Sequence, residues 1–103
     1  MKEYKVEFLD LAREDLLDIQ EYYDTFFSDK SGQKIMGKIL KAVKQLKSFP
    51  YSGTLVEDEK LLRQEYRMIF AGAFVIIYRI TGDQVMIYHV ADTRRQYNKL
   101  FKF

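Results

Sequence analysis

The chain has 103 residues, 48% apolar and 31% charged, which fits one domain over residues 1–103 with one core. No apolar run approaches the roughly eighteen residues of a membrane span, and residues 1–8 carry charge where a signal peptide needs its apolar stretch. Zero cysteines remove disulfides, thiolate zinc sites and cysteine nucleophiles, and one histidine leaves little for a metal cluster. The expectation is a cytoplasmic protein with no membrane partner, no metal site and no cofactor.

The net charge of +2 hides a strong asymmetry. Residues 1–29 hold nine acidic and three basic side chains; residues 30–48 hold six lysines and no acid; residues 60–103 hold eight basic and three acidic side chains. A basic surface facing an anionic partner is implied, with an acidic helix elsewhere.

In chain order, Tyr4, Val6 and Phe8 alternate with Lys5 and Glu7, the period of a strand with one buried face. Asp10 offers an N-cap. Leu9, Ala12, Leu16, Ile19, Tyr23 and Phe26 then draw one apolar stripe down a helix whose other face carries Glu14, Asp15, Asp18, Glu21 and Asp24. Residues 28–32 break the pattern, and Ile35, Ile39, Val43 and Leu46 mark a second amphipathic helix ending before Phe49-Pro50. Its lysines, Lys30 to Lys47, form a basic ridge that a solvated surface explains more simply than a nucleic-acid track. Residues 50–53 read as a turn and residues 56–60 as a polar loop. Three β-rich runs follow, 66–70, 73–80 and 85–91, joined by hairpin-length turns, and residues 97–103 close the domain as a short turn or helical piece. The expected fold class is α+β: a helical hairpin on one face of a four-stranded, mainly antiparallel sheet, order β-α-α-β-β-β. The other sheet face, with Arg79 and His89, is expected to stand open.

The densest group of chemically capable side chains is Asp92-Thr93-Arg94-Arg95-Gln96-Tyr97, with Lys99 close behind. Two adjacent guanidinium forks at a strand end can clamp phosphate oxygens or stabilise a phosphorane-like transition state, and Tyr97 can stack on a base or assist proton transfer. One arginine of such a pair is commonly a rim residue held by a carboxylate such as Asp92. His89 has the titration range of a general acid or base, although a hydrogen-bonded structural histidine is the commoner case. Arg63 and Arg67 flank the second strand. The phosphate-cradle glycine motifs and paired catalytic carboxylates are missing.

The order of these elements resembles the RelE/ParE superfamily, the toxins of type II toxin–antitoxin (plasmid stabilisation) systems. The resemblance rests on 4–8 leading to Ala12-Arg13-Glu14-Asp15-Leu16, on the corner Leu46 to Gly53, on Arg67, on the run Phe74 to Ile80, and on Val85 to Val90 followed by Arg94-Arg95-Gln96-Tyr97. It implies a growth-arresting toxin held in a hetero-oligomer by a cognate antitoxin. The leading expectation is that it cuts ribosome-bound messenger RNA as a metal-independent endoribonuclease; the alternatives are inhibition of DNA gyrase without catalysis, or a non-toxic binding module of the same fold. For the ribonuclease case, Arg94, Arg95, Tyr97 and His89 would be catalytic, and Arg63, Arg67, Arg79 and Lys99 would hold RNA. Ribonuclease members place an arginine where this chain has Val75, a departure that the gyrase case tolerates. The antitoxin is expected to lay an acidic or amphipathic segment across the basic C-terminal sheet face, with carboxylates opposite Arg94 and Arg95, or across the lysine ridge.

Overall fold

The computed structural model describes residues 3–95, the Asp29 side chain excepted. A strand, β1 (Lys5–Phe8), leads into two antiparallel helices, α1 (Asp10–Phe26) and α2 (Asp29–Gln45). A 3₁₀ turn, Pro50–Ser52, precedes the two-residue β2 (Thr54–Leu55), the short helix α3 (Glu59–Arg63), and the strands β3 (Arg67–Ala71), β4 (Phe74–Thr81) and β5 (Gln84–Asp92). The sheet order is β1-β5-β4-β3-β2, with β1 parallel to β5 and every other pair antiparallel. The α+β class holds, with five strands in place of the expected four.

Local chemistry sets most of the boundaries. Ser28 caps α2 by accepting from the Ser31 N–H at 3.3 Å, and Asp58 caps α3 by accepting from the N–H groups of Lys60 and Leu61. Asp10, expected as the α1 cap, lies one position inside the helix; Leu9 holds the cap position and supplies no side-chain bond. The two-residue turns of β3–β4 and β4–β5 each place a glycine, Gly72 and Gly82, at positive φ in the first central position. The polar loop expected over 56–60 closes instead into α3, because Asp58 caps a segment whose Leu61 finds a buried seat.

The main core lies between the hairpin and the sheet. Ala12, Ile19 and Tyr23 of α1 and Ile39 and Val43 of α2 pack with Phe74, Ile76 and Tyr78 of β4 and Val85, Ile87 and Val90 of β5. Tyr4, Val6 and Phe8 support it from β1, as their alternation predicts.

Two expectations about the sheet are corrected. Its far face is not left open: Val56 and Leu61 close over Tyr66, Val75, Ile77 and Ala91 to make a second apolar cluster. Simple alternation along β5, which would set Met86, Tyr88 and Val90 opposite Val85, Ile87 and His89, also fails. The register pairs Ile77 with His89 but Tyr78 with Ile87, so Tyr88 is an extra residue in the ladder. One bulged residue shifts the phase of everything after it, so that Val90 joins Val85 and Ile87 in the main core, and Met86 and Tyr88 fall outside it.

Candidate functional site

Asp92 is the last residue of β5, paired with Phe74, and its side chain is turned towards α1. It is fully buried. Its Oδ2 accepts from the Tyr23 hydroxyl at 2.8 Å; its Oδ1 accepts from the Arg94 backbone N–H at 3.0 Å and from Arg94 Nε at 3.3 Å. Arg94 also donates through Nη2 to the Tyr23 hydroxyl at 2.8 Å, and Arg95 Nε stands 3.6 Å from Asp92 Oδ2. Burial alone would raise the Asp92 carboxyl; the bonds from Tyr23 and Arg94, helped by the Arg94 charge, outweigh it and hold the group below the usual carboxylate range. The same contacts raise Arg94, chiefly through its bond to Asp92, while burial and the facing carboxylate raise Tyr23.

The Arg95 guanidinium lies over the Tyr22 ring, 3.5 Å from its centroid, a close cation–π contact. Arg94 and Arg95 are therefore brought together as expected, but as the two cations of one buried carboxylate rather than as a free phosphate clamp. Their side chains remain 62% and 29% exposed, so each keeps an outward surface.

His89 is not on an open face. It is 2% exposed, and its Nδ1 is hydrogen-bonded to Oδ2 of Asp15 on α1. The same oxygen accepts from the Val90 N–H at 2.9 Å. β1 pairs with β5 only as far as Ile87, and the chain then leaves for α1. The Asp15 carboxylate thus supplies the acceptor that a longer β1 would have offered to β5. Sequence reading put Asp15 on the solvent stripe of α1, yet it is 1% exposed. Its spacing from Ala12 and Ile19 places it on their buried side and was the signal available.

The remaining arginines are dispersed. Arg67 donates to the Gly53 carbonyl at 2.8 Å and lies 5.0 Å from the Tyr51 centroid, next to the corner where the Tyr78 hydroxyl donates to the Pro50 carbonyl and accepts from the Gly53 N–H. Burial raises the Tyr78 phenol, against the bond to Gly53 and the charge of Arg67. Arg63 pairs with Glu59 on the exposed side of α3. Arg79 lies 5.6 Å from the Tyr66 centroid, and Tyr66 meets Tyr88 edge to face at 5.0 Å. Tyr66 and Tyr88 border a groove of about 540 Å³ that is also lined by Phe8, Leu9, Asp10 and Arg13. Tyr97 and Lys99 lie outside the described residues. Among the described residues no cluster of three or more His, Asp or Glu side chains could hold a metal, and no helix is long and apolar enough to cross a membrane.

The family profile described as the ParE toxin of type II toxin–antitoxin system, parDE, matches residues 6–97. The chain belongs to the ParE toxin family. Among solved structures it is similar to the chromosomal ParDE toxin–antitoxin system from P. aeruginosa, with a TM-score of 0.73 at 19% identity, covering 86% of this chain and 95% of that one. It is also similar to the toxin–antitoxin complex RelBE2 from Mycobacterium tuberculosis, with a TM-score of 0.66 at 21% identity, covering 87% and 98%. These likenesses are of fold. A search of curated proteins by sequence finds no match.

Proposed function

We propose that this ParE-family toxin arrests growth by binding its target, DNA gyrase, and not by cutting messenger RNA. The observation that carries this reading is the burial of Val75, 1% exposed in the second apolar cluster, at the position where the resembling ribonucleases hold an arginine. An arginine there would bury a charge against Val56, Ile77 and Ala91, so the strand has no room for a catalytic cation. One further fact supports it: His89, the candidate general acid or base, is enclosed with Asp15, out of reach of a phosphodiester. A binding toxin needs none of these groups to move a proton. It needs a stable scaffold that displays a surface, and an antitoxin that covers that surface in a hetero-oligomer until release.

The alternative, ribosome-dependent cleavage, draws on the groove beside Tyr66, Tyr88 and Arg79, where rings and a guanidinium could take a base and a phosphate. A purified translation assay separates the two. With toxin in excess over ribosomes, the message is expected to remain intact when mapped by primer extension; discrete toxin-dependent cuts would overturn the binding reading.

A further inference from the structure

The end of α1 displays aromatic area that is left exposed among the described residues. Phe26 and Phe27 are 68% and 65% exposed, although each belongs to a continuous run of rings. Phe27 stacks on Tyr23 at 5.3 Å, Tyr23 meets Phe74 of the core at 6.0 Å, and Tyr22 bridges to Phe26 at 4.9 Å. The guanidinium of Arg95 closes this run over Tyr22, and that of Arg94 joins it through the Tyr23 hydroxyl. Two open phenylalanines beside two partly exposed arginines are an unusual surface for a 103-residue chain to leave in water. Aromatic rings and arginines are also the side chains that dominate protein interfaces.

We propose that Tyr22, Phe26 and Phe27, with Arg94 and Arg95, form the seat of the antitoxin. The segment that fits presents large apolar side chains to the two phenylalanines and a carboxylate to the guanidinium pair. The exposed rings and the guanidinium pair together set the occupant's chemistry. Asp92 satisfies only one side of Arg94 and Arg95, and the solvent-facing side of each fork can take a second carboxylate. Duplex DNA offers no apolar side chain to place over Phe26 and Phe27, whereas a protein segment supplies both an apolar side chain and a carboxylate. The arginine half of this seat is where charge alone puts the antitoxin and the phenylalanine half is added to it, whereas among the described residues the α2 lysine ridge displays one large exposed apolar side chain, Leu40. The proposal rests on the reading of this chain as a toxin with an antitoxin.

The test is the affinity of purified cognate antitoxin for full-length toxin, measured by calorimetry. Phe26→Ser, and the double variant Phe26→Ser with Phe27→Ser, are expected to weaken binding by roughly 30-fold or more in the double variant. The single variant touches only an exposed ring, and its melting curve confirms that it folds. Lys38→Glu with Lys41→Glu on the α2 ridge is expected to change affinity by less than about threefold. Unchanged binding by both phenylalanine variants, or a larger loss from the α2 pair, would overturn the proposed seat while leaving the toxin reading intact. A wild-type chain that binds no antitoxin would overturn both.

Discussion

Among the described residues Asp92 and Asp15 are the buried carboxylates, and each ties α1 to β5. Asp92 answers to Tyr23, Arg94 and Arg95, and its carboxyl is held below the ordinary range, so ionisation favours the folded state. The unfolded carboxyl titrates near ~3.9. The contribution is therefore complete above that value and is lost as pH falls through the lower folded value. Asp92→Asn is expected to destabilise the protein by about 1–3 kcal/mol at pH 6, a gap that shrinks steadily below about pH 4. Urea melts of both proteins across that range check it, and a gap independent of pH would contradict the assignment. Asp15→Ala removes the acceptor of both His89 and the Val90 N–H inside the core, and about 3–5 kcal/mol of destabilisation is expected. It should appear as a lower denaturation midpoint at unchanged slope. Spacing alone could have found Asp15, but residue type argued the other way, because an aspartate surrounded by acidic neighbours reads as solvated.

The elements with strong periodicity were legible. β1, α1 and the three long strands fall within a residue or two of their expected limits, whereas α2 begins at Asp29, inside the break expected over 28–32, and ends at Gln45, short of Phe49-Pro50. What could not be read were features determined by contacts distant in sequence. β2 is two residues long and exists because Thr54 and Leu55 reach Met68 and Arg67; α3 exists because Leu61 reaches the far face of the sheet. The bulge at Tyr88 leaves no mark in a pattern of alternating apolar residues, yet it redirects Val90 into the main core. The corner before β2 is a further case. A Cβ at Gly53 would collide with the Tyr78 hydroxyl and lie 2.7 Å from the Met68 carbonyl and 2.9 Å from Ile69 Cγ2. Gly53→Ala is accordingly expected to cost roughly 1–3 kcal/mol by displacing Tyr78 from its bonds to Pro50 and Gly53. Thermal unfolding measures this. Tyr78→Phe should recover part of the loss in the double variant, since it removes the colliding hydroxyl, and strictly additive losses would contradict the collision.

At the scale of the molecule, the superfamily and its fold could be read from the order of elements, whereas the chemistry of the site could not. Arginines adjacent in sequence suggested a catalytic pocket; in three dimensions a single buried aspartate engages both, and Arg63, Arg67 and Arg79 are held by separate partners. The aromatic run from Phe74 out to Phe26 and Phe27 was hidden because Phe26 belongs to the apolar stripe and was assigned to the core. The proposed reading is of an α+β scaffold that acts by displaying a surface to its target and makes no use of bond chemistry at its cationic end. Its most direct test is a DNA supercoiling assay with purified gyrase and the free toxin. The account predicts dose-dependent loss of supercoiling that added antitoxin reverses; undiminished supercoiling at toxin concentrations well above those of gyrase would contradict it.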